Sequence, residues 1–218
     1  MAAMQLRQLL KTHKIDALLV SDITNIRYLS GLSVSAGFVL IGTKGDIIMY
    51  VDSRYLEAAR ISAHCKVQPI EHLMKSFANI KRLGIEADDI TLSRFNRMIK
   101  EYKNNKLVQT SGLIQGLRRI KGKNEIAHIR KAVSITKSLL KAVPALLKIG
   151  ITERELSTQL QLLAEKRGAE DMAFPTIIAF GENTSKPHHH PSKRPFKKND
   201  LVQVDLGVRI HGYCSDMS

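Results

Sequence analysis

The chain has 218 residues, 44% hydrophobic and 25% charged, which suits one large domain or two small ones with a buried core. No apolar run approaches the ~20 residues that cross a bilayer, and the first fourteen residues lack the apolar core and small-residue cleavage site of a signal peptide. The net charge of +14 is spread from Arg7 to Lys198 and is dense only at 118–123 and 193–198, without interleaved aromatics, so it reads as a solvated basic surface, with nucleic-acid binding as the minor alternative.

Cys65 and Cys214 lie far apart and make no zinc or redox pattern, which fits a reducing cytoplasm. Leu6, Leu9, Leu10 and His13 recur at helical spacing and predict an amphipathic first helix. Residues 17–20 form a short buried strand, and 21–31 read as a turn, a short helix and a glycine stop. The apolar runs 38–41 and 47–51 flank Gly42-Thr43-Lys44-Gly45-Asp46, a hairpin by turn chemistry. A helix over 55–61, an extended run over 66–70, a helix over 73–80 and a strand over 83–86 follow. Leu92, Phe95, Met98, Ile99 and Tyr102 mark another amphipathic helix. Alternating strands and helices make the first ~120 residues an α/β unit.

The boundary falls in the basic stretch 118–123. Beyond it Ile126, Ile129, Val133, Leu140, Val143 and Leu147 hold a helical stripe that Pro144 kinks or ends. Thr152-Glu153-Arg154-Glu155 is a capping box with Ile151 and Leu156 as its hydrophobic staple, and that helix runs to about Arg167 before Gly168.

From 201 to 208 the chain alternates, with Val202, Val204, Leu206 and Val208 on one face and Gln203 and Asp205 on the other. A turn centred between Ile210 and His211 sets Asp205 directly across from Asp216, with Cβ atoms ~5 Å apart, where like charges repel. A bound cation is the simplest reason for such a pair. The alternative is two ordinary strand-end aspartates, because a shift of one residue puts them on opposite faces. The run Pro187-His188-His189-His190-Pro191 could bring imidazole to the same face, or it is a solvated loop.

The ordered set Asn25-Ile26-Arg27-Tyr28-Leu29-Ser30-Gly31, Asp52-Ser53-Arg54-Tyr55, Ile120-Lys121, Gly150-Ile151-Thr152-Glu153, Phe174-Pro175-Thr176-Ile177, Gly181-Glu182-Asn183, Pro187-His188, Val204-Asp205-Leu206-Gly207 and Gly212-Tyr213-Cys214-Ser215-Asp216 resembles the aminopeptidase P and prolidase (creatinase-like) family. The resemblance implies an α/β (α+β) architecture: a creatinase-type N-terminal domain over 1–120, then over 121–218 the first half of a pita-bread metallopeptidase domain. It implies hydrolysis of Xaa-Pro bonds at a site of two divalent ions, Mn²⁺ first, with Co²⁺, Zn²⁺ or Fe²⁺ as alternatives. Asp205 matches the family's first metal ligand and Asp216 the bridging one. His188 matches the histidine that hydrogen-bonds the substrate carbonyl, while His189 and His190 have no assignment and stay with the solvated-loop reading.

The family's remaining ligands, a His and two Glu, come later than Ser218, so these residues are expected to be inactive alone. The partners implied are a proline-containing peptide and either a second copy or a second chain that supplies the other half; no membrane or nucleic acid is expected. The alternatives are one chain of a split enzyme, or a non-catalytic peptide- or protein-binding module of the same fold.

Overall fold

The computed structural model describes residues 2–102 and 106–218. The chain divides into two compact units, Met1–Ile120 and Lys121–Ser218.

The first unit carries helices α1 (Ala2–Thr12), α2 (Ile23–Ser30), α3 (Ser53–Ser62), α4 (Leu92–Glu101) and α5 (Leu113–Arg118). Its strands are β1 (Ala17–Val20), β2 (Phe38–Gly42), β3 (Ile47–Val51), β4 (Lys66–Pro69), β5 (Arg82–Glu86) and β6 (Lys106–Thr110), joined in one sheet of order β4-β3-β2-β1-β5-β6. The β1–β2 and β2–β3 pairs are antiparallel and the outer pairs are parallel. Alternate side chains enter separate cores on the two faces. Leu18, Val20, Val39, Ile41 and Met49 join one, and Ala17, Leu19, Phe38, Leu40 and Tyr50 the other. This is why β1 is buried along its whole length and reads as an apolar run without alternation.

The stretch 73–80 departs from expectation. It holds a 3₁₀ turn, Met74–Phe77, preceded by another at Ile70–His72, with only Phe77 of the pair buried. Strand β6 and helix α5 have weak signatures: β6 offers two apolar residues, and α5 is six residues long with Gly116 inside it.

The second unit opens with α6 (Lys123–Leu146), which ends two residues beyond Pro144, so the missing N–H costs one hydrogen bond in the last turn. Helix α7 (Glu153–Lys166) starts with the expected capping box, in which Thr152 accepts from the Glu155 N–H and Glu155 accepts from the Thr152 N–H. Strands β7 (Asp171–Met172), β8 (Ile177–Phe180), β9 (Val202–Asp205), β10 (Val208–Ile210) and β11 (Tyr213–Cys214) follow. Strands β8 and β9 pair antiparallel, and β10 lies between β7 and β11. Leu139, Leu156, Leu160, Phe180, Leu206 and Val208 form the core between helices and strands. Each such fully buried side chain contributes roughly 1.5–3 kcal/mol. Among the described residues no helix is long and apolar enough to cross a membrane.

Candidate functional site

The segment 201–217 is one path through two small sheets. β9 pairs with β8, Ile177 opposite Asp205, and the chain then passes through Leu206 and Gly207 into β10. The turn to β11 is His211-Gly212, both with positive φ (44° and 71°), the two-residue arrangement that suits strand twist. The Glu170 carboxylate accepts from both turn N–H groups, at 2.7 and 3.2 Å.

That turn corrects the expected register. Arg209 pairs with Cys214, Ile210 with Tyr213, and Leu206 with Met217. Asp216 therefore lies opposite Gly207, and Asp205 is its diagonal neighbour on the same face, not its direct partner. The turn lies one residue further along than the alternation implied, because His211 takes the left-handed conformation beside Gly212.

Gly207 is where the two strands crowd. A Cβ built there would lie 1.9 Å from the Ser215 carbonyl oxygen. The cause is next to it: the Val208 N–H donates to the Ser215 hydroxyl at 3.0 Å, where a regular ladder would use the Ser215 carbonyl. The same hydroxyl lies 2.7 Å from the Thr136 hydroxyl of α6, so the residue before Asp216 is tied to the long helix.

Asp205 is half-buried and Asp216 exposed. Burial, and then the charge of Asp216, push the Asp205 carboxyl above its ordinary value. Neither carboxylate has a hydrogen-bonding or ion-pair partner among the described side chains. Two uncompensated carboxylates on one face fit a hard or borderline divalent cation, to which each would lend oxygen. Among the described residues no group of three or more His, Cys, Asp or Glu could hold a metal ion, so the pair would make at most part of a coordination shell.

His188 is exposed, at the third position of a turn over Lys186-Pro187-His188-His189 that the His189 N–H closes on the Lys186 carbonyl at 3.2 Å. His190 is exposed as well. His189 is not in solvent, which corrects the loop reading. Its side chain is 9% exposed and its Nε2 lies 2.7 Å from Glu153 Oε2.

Glu153, the first residue of α7 and a member of both the capping box and the Gly150-Ile151-Thr152-Glu153 motif, has a fully buried side chain. Its Oε1 accepts from the Phe180 N–H (2.8 Å) and Asn183 Nδ2 (3.0 Å). Its Oε2 accepts from His189 Nε2, the Ser192 N–H (2.8 Å) and the Ser192 hydroxyl (2.6 Å). Burial pushes this carboxyl up, but bonds from Ser192, His189, Asn183 and Phe180 outweigh it and bring the pKa down to about 2. An acid in the first turn of a helix is too common for sequence alone to mark it, and its partners lie 27 to 39 residues away. Beside it, Arg194 forks between Glu182 and Asp200 and holds both carboxyls at about 2, chiefly through its side-chain hydrogen bonds.

Residues 4–120 match the family described as Creatinase/Prolidase N-terminal domain, and residues 127–218 match Metallopeptidase family M24. A Mycoplasma genitalium protein provisionally named an Xaa-Pro aminopeptidase is 30% identical over 98% of this chain and 61% of its own length. The solved Xaa-Pro dipeptidase of Bacillus anthracis superposes with a TM-score of 0.91 at 29% identity, covering 99% of this chain and 62% of that one. The prolidase of Pyrococcus horikoshii gives 0.90 at 29% identity, with 99% and 62% covered. The chain thus spans about three fifths of the length of these relatives.

Proposed function

The chain belongs to the aminopeptidase P and prolidase family, and from that premise we propose that it acts in metal-dependent hydrolysis of Xaa-Pro peptide bonds, with Asp205 and Asp216 as metal ligands and His188 as a catalytic residue. The observation that carries this reading is the pair of unpartnered carboxylates on one face of the 205–216 hairpin, within the stretch that matches the metallopeptidase family.

Divalent ions bound there, two in number and Mn²⁺ first among candidates, would supply Lewis acidity and a nucleophile from water near neutral pH. Asp205 and Asp216 would hold the ions through their carboxylate oxygens, and Gly207, where a Cβ would meet the Ser215 carbonyl, allows the close approach of the two strands that carry them. The exposed imidazole of His188 donates a hydrogen bond to the substrate carbonyl oxygen and stabilises it as charge develops. These 218 residues would contribute two carboxylates to a site whose other ligands are not among them, and the matched relatives are longer than this chain. The two thiols, Cys65 and Cys214, are free, in keeping with a reducing cytoplasm.

The test is cleavage of an Xaa-Pro peptide, with and without Mn²⁺, by these residues alone and when joined to or mixed with the rest of the domain. The 218 residues alone are expected to give no metal-dependent cleavage, and the completed enzyme is expected to give it. Asp205→Asn or Asp216→Asn should then abolish turnover together with tight metal binding. His188→Ala should lower kcat by roughly 10²–10³-fold, the usual loss for one oxyanion donor, with metal content unchanged. A completed protein that binds proline peptides but cleaves none would favour a non-catalytic module.

A further inference from the structure

The buried carboxylate of Glu153 has a place in the His188 reading. The four-residue turn Lys186-Pro187-His188-His189 has two ends, and both lead to this one side chain. At the outgoing end, His189 Nε2 and then the N–H and hydroxyl of Ser192 bond to Oε2. At the incoming end, the Lys186 N–H donates to the Asn183 carbonyl at 3.1 Å and Lys186 Nζ to Asn183 Oδ1 at 2.9 Å. The Asn183 side chain in turn donates to Glu153 Oε1. Pro187, itself exposed, restricts the turn's second residue, and His188 follows it as an exposed position before the anchored His189.

We propose that Glu153 is the positioning residue of the His188 turn, holding both ends so that the imidazole is presented in one place. This rests on the reading of His188 as the residue that meets the substrate carbonyl. Five donors saturate the acceptor capacity of one carboxylate. Ionised, Glu153 can only accept, so His189 must carry its proton on Nε2, and the ring behaves as a fixed strut. A glutamine in its place keeps the shape but turns an NH₂ toward N–H donors, either Phe180 with Asn183 or Ser192 with His189. One end of the turn then comes loose. The anchor sits at the N-terminus of α7, a rigid and favourable place for negative charge.

The experiment has two arms. In the first, backbone ¹⁵N relaxation is measured for residues 186 and 188–190 in the 218-residue chain, since Pro187 has no N–H, with Glu153→Gln and the milder His189→Ala, which leaves Glu153 four of its five bonds. Both variants should raise fast motion at His188 and His189, the turn positions that carry an N–H after Pro187 (in the His189 variant, at His188 and the residue that follows the substitution), while amides of β8 and α7 keep their native values. An equally ordered turn in His189→Ala, or in a folded Glu153→Gln, overturns the proposal. In the second arm, the completed enzyme carries Glu153→Gln, His188→Ala and both together. Misplacing a reacting group by about 1 Å costs up to ~10²-fold, so Glu153→Gln should lower kcat by ~10–10²-fold at little-changed KM and metal content. Added to His188→Ala it should cost almost nothing further, because its effect passes through that imidazole. Two losses that multiply would show a general structural role and overturn the proposal. A His188→Ala enzyme with full kcat would overturn the role of His188 itself, an outcome the first arm cannot produce.

Discussion

Glu86 in the first unit and Glu153 in the second are both buried carboxylates, 6% and 0% exposed, and the two are shifted in opposite directions. At Glu86, burial is the larger influence and raises the pKa, against bonds from the Asp22 N–H, the Ser21 N–H and Asn25 Nδ2, while the nearby charge of Asp22 adds to the rise. At Glu153 the bonds from Ser192, His189, Asn183 and Phe180 reverse the balance. Burial is the largest single influence on both acids, and it prevails at Glu86, whereas at Glu153 the donors together outweigh it. Glu86 ties the start of α2 to β5, and the Asn25 that serves it is itself held by Arg118 at 2.8 Å. Glu153 is a charged hub around which an irregular loop is wound.

Truncation should expose the contrast most strongly. Glu153→Ala leaves the Phe180, Asn183, Ser192 and His189 donors without an acceptor and should cost about 3–5 kcal/mol in the second unit. Glu86→Ala strands three donors and should cost about 1–3 kcal/mol in the first. Urea unfolding followed by hydrogen exchange of peptides from each unit measures both, and equal costs would break the comparison.

Acid should separate them next. The folded pKa of Glu153 lies below its ordinary 4.5, so its stabilisation is complete above about 4.5 and is lost as pH falls toward about 2. For Glu86 the folded value is raised, so its contribution is greatest at low pH and falls as pH rises through the ordinary value. Glu182 and Asp200, also at about 2, add to the acid sensitivity of the second unit. Hydrogen exchange between pH 5 and 2 should show protection failing first in peptides from 153–200. Loss beginning at β1 and β5 would contradict this.

The neutral isosteres give a smaller contrast. Glu86→Gln should change the melting of the first unit by less than about 1 kcal/mol, whereas Glu153→Gln should cost about 2–3 kcal/mol, since only the second removes a charge that its surroundings favour. The smallest effect is expected from Asp22→Asn. It keeps the α2 cap, in which Asp22 accepts from the Asn25 N–H at 2.7 Å, and removes the charge beside Glu86. Stability should move by a few tenths of a kcal/mol, while the Glu86 titration, followed by carboxyl ¹³C shifts, moves down.

The same contrast shows what the residue pattern could reveal. Local rules were enough for α1, β1, the β2–β3 hairpin and the Thr152 cap, because periodicity and capping act over a few residues. They set Asp205 directly opposite Asp216, whereas the ladder makes the two diagonal neighbours. The register was not local: it depended on His211 accepting a positive φ and on Glu170 receiving its N–H from 41 residues away. Strand β6 was missed because an edge strand needs little apolar pattern. His189 was read as solvated because nothing near it in the chain shows the carboxylate, 36 residues earlier, that buries it.

That separation also has a kinetic side. The Phe180 bond is itself part of the meeting of α7 and β8, whereas the bonds from His189 and Ser192 close longer loops of 36 and 39 residues and are expected to form after it. Interactions absent from the folding transition state act on the rate of unfolding and scarcely on the rate of folding. The hub should therefore work as a latch: weakening it would leave refolding nearly as fast as before and shorten the lifetime of the wound loop.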